Sequence, residues 1–153
     1  MDVQPPVLLL VEDNEDDVFL MQRALKAARI SLRMQVVTDG QEALDYLAGA
    51  GKYSNRAQYP IPSIVLLDLK LPYVHGFEVL NWLRKESALS QIGVVVLTSS
   101  PEERDQRKAL ELGAKAYLVK PPTGQMLLGL FPLPAQSSSL PAAPPGNQIH
   151  LLL

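Results

Sequence analysis

Short apolar runs alternate along this chain with longer segments in which apolar residues recur every three or four positions. Val7–Val11 (VLLLV), Ile64–Leu67 (IVLL) and residues 92–97 (IGVVVL) are runs of the first kind. Nearly unbroken apolarity of this length fits a strand covered on both faces better than one half-exposed to water. Residues 34–37 and Ala116–Val119 are two further short strand candidates. Between the first two runs, residues 15–29 place Leu20, Met21, Ala24, Leu25 and Ala28 at helical spacing, with Gln22, Arg23 and Lys26 on the other side. Helices are also expected over 41–47, 76–87, 101–112 and 123–131. Pro101 suits a first helical turn, and Gly113 stands just past a helix end. Residues 49–62 (GAGKYSNRAQYPIP) combine glycines, prolines and polar residues and read as a loop.

Strand and helix therefore alternate five times. Strands separated by helices pair in parallel by crossover, which predicts an α/β fold: an open sheet with helices on both faces. In such sheets the working site lies at the carboxyl ends of the strands, where the chain order switches direction. From Pro132 the composition changes: PLPAQSSSLPAAPPGNQIHLLL has five prolines and no Asp, Glu, Lys or Arg. The expected division is a domain over 1–131 and an extended low-complexity tail over 132–153. Pro132 cannot continue a helix, so the last helix is expected to be short, about two turns. The apolar residues of the tail raise a second possibility, that it covers an exposed patch or joins two subunits.

Bulk composition narrows the function classes. The chain has 153 residues, enough for one ordinary domain. The formal net charge is -2, which gives no basic excess toward nucleic acid or an anionic membrane. There is no cysteine, so thiol catalysis, disulfides and cysteine-ligated zinc are excluded. The N-terminal apolar run is too short for a signal peptide or a membrane span, and a cytoplasmic location is the expectation.

The strand ends carry the chemistry. The first strand delivers Glu12 and Asp13, the third Asp68, the fourth Thr98 and the fifth Lys120. The topology gathers these residues at one edge. Three carboxylates brought together need a cation, and oxygen ligands without Cys or His favour Mg2+. A carboxylate can itself accept a phosphoryl group. An ammonium and a hydroxyl beside it supply charge neutralisation and a hydrogen bond for phosphoryl oxygens. Taken singly, each residue has a plainer explanation. Asp13 or Asn14 could cap a helix, Lys120 could be a solvated loop residue, and Thr98 could open the next helix.

VLLLVEDNEDD, LLDLKLPYVHGFEVL, VVVLTSS and GAKAYLVKPP, in this order on these elements, resemble the receiver domain of bacterial two-component response regulators. The resemblance spans residues 7 to about 131. It implies a flavodoxin-like (βα)5 sandwich with strand order 2-1-3-4-5. It implies that Asp68 is the phosphoacceptor and that Glu12, Asp13, Asp68 and the backbone carbonyl of Lys70 serve the Mg2+ site. Thr98 corresponds to the switch hydroxyl, Lys120 to the phosphate-contacting lysine, and Tyr117 to the aromatic that turns inward on activation. The Lys120–Pro121 peptide corresponds to one that is cis in the family. The expected donor is a sensor histidine kinase. The ED-N-x-x-D opening and the long loop before the third strand resemble receivers paired with bacterial phytochromes. A homodimer through the fourth helix, fifth strand and fifth helix is a further expectation, with no nucleic acid or membrane partner.

Two departures stand out. His75 replaces the aspartate usual in the L-P-x-x-D-G stretch, and imidazole is a poorer helix cap than carboxylate. Lys70 and Ser100 occupy family positions that tune phosphoryl lifetime. Other functions fit less well. A phosphatase of the haloacid dehalogenase type would want a second aspartate where Lys70 stands. A flavin carrier would not place Glu12-Asp13-Asn14-Glu15-Asp16-Asp17 against a phosphate. The chain is therefore expected to be a switch rather than a turnover enzyme, and its length leaves no room for an ordinary DNA-binding output domain. The alternative is a phosphorylation-independent receiver that acts as a protein-interaction module.

Overall fold

The computed structural model describes residues 6–130 and 149–151. Five strands, β1 (Val7–Val11), β2 (Arg33–Val37), β3 (Ile64–Leu67), β4 (Gly93–Thr98) and β5 (Ala116–Val119), alternate with five helices. The helices are α1 (Glu15–Ala27), α2 (Gly40–Ala48), α3 (Gly76–Lys85), α4 (Glu103–Glu111) and α5 (Gly124–Leu130). All five strands are parallel, in the order β2-β1-β3-β4-β5. Fold class, strand order and the short last helix agree with the sequence reading.

The unbroken apolar runs have a direct cause. Successive strand side chains point to opposite faces, and here each face is covered. Leu9 and Val11 of β1, Val65 and Leu67 of β3, and Val94 and Val96 of β4 pack with α2, α3 and α4. Their neighbours Leu8, Leu10, Leu66, Val95 and Leu97 pack with Met21 and Leu25 of α1 and Met126 and Leu127 of α5. Burial of each such side chain contributes about 1.5–3 kcal/mol. Any polar replacement in these runs would enter one of the two cores.

Local signals set the helix starts. Asn14 caps α1, its side chain accepting from the Asp16 and Asp17 N–H groups at 2.9 and 3.1 Å. Asp39 caps α2 by accepting from Glu42 N–H at 2.7 Å. Gly76 opens α3 because the helix starts against the end of β3. A Cβ there would lie 2.5 Å from the Asp68 carbonyl oxygen. The Lys120–Pro121 peptide is cis.

The structure differs from the sequence reading chiefly in three places. Helix α4 starts at Glu103, because residues after Ser100 form a turn in which the Glu102 N–H donates to Ser100 Oγ. The loop before β3 contains a 3-10 turn over Gly51–Ser54. Its Tyr53 ring packs with Tyr46 and Tyr59 at centroid distances of 5.0 and 4.9 Å. Lastly, β6 (Ile149–Leu151) adds to the sheet, antiparallel to β5, with Tyr117 opposite His150. By sequence this stretch belongs to the expected tail, and five strands are expected. A three-residue pairing at the end of a proline-rich segment leaves no strand-length pattern to read. The remainder of the expected tail lies outside the described residues.

Candidate functional site

The carboxyl edge of the sheet holds its acids in continuation of the strand ladder. The Glu12 N–H donates to the Val37 carbonyl at 3.0 Å, and the Asp68 N–H to the Val11 carbonyl at 3.1 Å. The Lys120 N–H donates to the Thr98 carbonyl at 2.8 Å. Backbone bonds to neighbouring strands therefore fix where these side chains start.

Glu12, Asp13 and Asp68 each present a carboxylate oxygen, all within 4.8 Å of one another. Glu12 and Asp68 are buried and Asp13 is exposed. Like charges about 4 Å apart repel by about 4 kcal/mol at the intermediate dielectric response of a protein surface. The cluster therefore needs positive charge, and two sources fit. One is a hard divalent cation, since the donors are all carboxylate oxygens and Asp13 faces water. The other is already present. The Lys120 ammonium lies 2.6 Å from Glu12 Oε1, 2.8 Å from Asp17 Oδ2 and 2.9 Å from Asp68 Oδ2. Its three N–H donors thus meet three carboxylates.

The electrostatics follow from this crowding. Burial pushes the Glu12 carboxyl from the ordinary value of 4.5 up to about 7; the Lys120 hydrogen bond works against the rise and the Asp68 charge adds to it. Burial opposes the charge on Lys120, yet hydrogen bonds to Asp17, Glu12 and Asp68 prevail and hold the ammonium above the usual lysine range. Lys120 therefore stays protonated at neutral pH.

Lys70 follows Asp68 by two residues, and its N–H donates to Asp68 Oδ1 at 3.3 Å, which brings its backbone beside the carboxylate. Thr98, at the end of β4, is fully buried, and its hydroxyl accepts from the Ser100 N–H at 3.4 Å. Tyr117 is also buried, and its hydroxyl donates to the Ser100 carbonyl at 2.6 Å. Burial raises the Tyr117 phenol above its ordinary value. The Ser100 hydroxyl donates to Asp105 Oδ2 at 2.7 Å. Glu12, Asp13, Asp68 and Lys120 thus converge, while the Thr98 and Tyr117 hydroxyls are engaged with Ser100.

His75 caps α3 after all: its Nδ1 accepts from the Phe77 N–H at 3.1 Å. Its ring also packs on Phe77, with centroids 5.2 Å apart. The residue missed by sequence reasoning is Asp17. It is the last residue of the ED-N-x-x-D opening, where helical phase turns it toward the sheet edge.

A family model described as the response regulator receiver domain matches residues 8–130. The chain is 40% identical over 120 residues to the probable methanogenesis regulatory protein FilR2 of Methanothrix harundinacea, covering 76% of this chain and 73% of that protein. It is 40% identical over 116 residues to the response regulator Rcp1 of Synechocystis, covering 76% and 77%. The crystal structure of Mn2+-bound Rcp1 superposes with a TM-score of 0.74 at 36% identity, covering 90% of this chain and all of that one. The phosphorylated cyanobacterial phytochrome response regulator RcpA superposes with a TM-score of 0.71 at 34% identity, covering 84% and 89%. The parallel sheet, the acid cluster at its carboxyl edge and these matches together place the chain in the response-regulator receiver family.

Proposed function

We propose that this receiver accepts a phosphoryl group on Asp68 in a Mg2+-dependent reaction and changes its partner-binding face in response. The observation that carries the reading is the convergence of three carboxylate oxygens within 4.8 Å, with the Lys120 ammonium 2.9 Å from Asp68. Glu12, Asp13, Asp68 and the Lys70 carbonyl would hold the cation. When bound, it neutralises phosphoryl oxygens as charge spreads over them in the transition state.

The chain's own residues do the rest. An Asp68 carboxylate oxygen attacks phosphorus. In a histidine-kinase donor the phosphorus–nitrogen bond breaks, and the electron pair and a proton end on the departing imidazole. Lys120 carries positive charge to the phosphoryl oxygens, and its place beside Asp68 is already set. The Thr98 hydroxyl turns to a phosphoryl oxygen and gives up Ser100. Tyr117, already fully buried with its hydroxyl on the Ser100 carbonyl, packs into the space that Thr98 leaves, and this sets the surface of α4, β5 and α5.

The partner this implies is a sensor histidine kinase, with a phytochrome favoured by the likeness to RcpA. A homodimer through α4, β5 and α5 would have to accommodate β6 on the β5 edge. The reading assigns residues 1–131 to the receiver and 132–153 to a tail, and a cytoplasmic setting suits a kinase-coupled switch. No helix among the described residues is long and apolar enough to cross a membrane.

The test is intact mass after incubation with acetyl phosphate. The parent is expected to gain one phosphoryl mass with Mg2+ and none after chelation. A folded parent that gains nothing with Mg2+ would move the reading to a phosphorylation-independent interaction module.

A further inference from the structure

We propose that Asp17 is a positioning residue: it anchors the Lys120 ammonium when Glu12, Asp13 and Asp68 turn to a cation and a phosphoryl group. The inference rests on the reading of the site given above and concerns a carboxylate outside the metal cluster. Lys120 has three donors and three acceptors, at 2.6 Å on Glu12, 2.8 Å on Asp17 and 2.9 Å on Asp68. Two of these acceptors belong to the set whose oxygens lie within 4.8 Å of one another. An incoming cation competes with the ammonium for those two. Asp17 lies outside that set, so its contact persists while the others are exchanged.

Asp17 is built for this task. The Asn14 cap accepts from the Asp17 N–H at 3.1 Å, which fixes the first turn of α1 beside the end of β1. The Asp17 side chain is 31% exposed and that of Lys120 only 12%, so the pair sits at the rim with the ammonium turned inward. With one donor held by Asp17, two remain for phosphoryl oxygens. Without Asp17 the flexible lysine stem has no fixed partner once the cation occupies the cluster. A general acidic first turn does not explain the contact. Asp16 shares that turn and the same cap, yet it is exposed and makes no ion pair with Lys120.

The experiment follows the Lys120 ammonium by 15N side-chain NMR, with Mg2+ as the only addition. The signal is assigned by its loss in Lys120→Arg. It is expected to persist with Mg2+ in the parent and in Asp16→Ala. In Asp17→Ala plus Mg2+ it is expected to vanish through exchange with water, and Asp17→Asn, which keeps a neutral acceptor, should fall between. In parallel, labelling by acetyl phosphate at saturating Mg2+ should slow about tenfold in Asp17→Ala, the low end of what one hydrogen bond to a charged group contributes. That loss should disappear when Lys120→Ala is already present. A Lys120 signal that survives Mg2+ in Asp17→Ala would overturn the proposal. So would an equal rate loss in Asp16→Ala or in the Lys120→Ala background. A parent that takes no phosphoryl group would defeat the phosphoacceptor reading instead, and the NMR arm would still decide the role of Asp17.

Discussion

The two halves of the carboxyl edge are held together in opposite ways. On the β1–β3 side, charge does the work: Glu12, Asp17 and Asp68 crowd around one ammonium, and Asp13 adds a third carboxylate beside Glu12 and Asp68. On the β4–β5 side the contacts to the Ser100 backbone are neutral: Thr98 accepts from its N–H, and Tyr117 donates to its carbonyl. The acidic half is assembled in advance and has a charge imbalance that a bound cation would relieve. The hydroxyl half is satisfied as it stands, through bonds that a phosphoryl oxygen can outbid. A neutral hydrogen bond contributes about 1 kcal/mol and one to a charged group about twice that. In the proposed reaction a phosphoryl group would pull Thr98 away from Ser100, whereas Lys120 already stands beside Asp68 and would exchange partners in place. In the proposed mechanism one half would recognise the phosphoryl group and the other would report it.

The largest effect that would break this contrast is on Lys120. Lys120→Ala strands buried carboxylates, and the metal-free protein should lose about 3 kcal/mol or more in urea unfolding. Mg2+ should restore part of the loss, because it replaces the missing charge. A variant as stable as the parent, or one indifferent to Mg2+, would mean that the acidic half is not under electrostatic strain.

The pH dependence sharpens the same point. Glu12 titrates near 4.5 in the unfolded chain and at about 7 in the folded one. Between those values the folded state holds a proton that the unfolded chain has released. The Glu12 contribution therefore favours folding at low pH and is lost as pH rises from about 4.5 through about 7. Glu12→Gln cannot titrate. Without metal, its thermal midpoint relative to the parent should improve over that window. A constant difference between the two proteins would contradict the assignment.

The hydroxyl half predicts a smaller change. Tyr117→Phe removes one donor from the Ser100 carbonyl in a buried site and should cost about 1–2 kcal/mol, insensitive to Mg2+. A Mg2+-dependent cost would show that the halves are already coupled before phosphorylation. The smallest effect lies at His75. Because imidazole does cap α3, His75→Asp should add at most about 1 kcal/mol. A variant no more stable than the parent would show that the ring's packing on Phe77 offsets the weaker cap.

These halves were unequally legible in the sequence. The strands were read from their apolar runs because burial on both faces removes polar residues from every position. Glu12, Asp13, Asp68 and Lys120 were read because each ends or follows a strand, and parallel topology forces strand ends together. Asp17 was not, since its role depends on the phase of α1 against an edge residue 103 positions away. The engagement of Thr98 and Tyr117 with Ser100 was also hidden, because a hydroxyl's choice of partner is a matter of rotamer and no pattern of residue types records it. The place of Ile149–Leu151 beside β5 is a long-range pairing with no local signal.

The acidic half is proposed to place a phosphoryl group on Asp68. The most direct measurement is to label the protein with acetyl phosphate and Mg2+, reduce the acyl phosphate with borohydride and map the peptides by mass. The reduction mark is expected on the peptide containing Asp68, at that residue alone, and none in Asp68→Asn. A mark on Glu12, Asp13 or Asp17, or undiminished labelling of Asp68→Asn, would contradict that role for the acidic half.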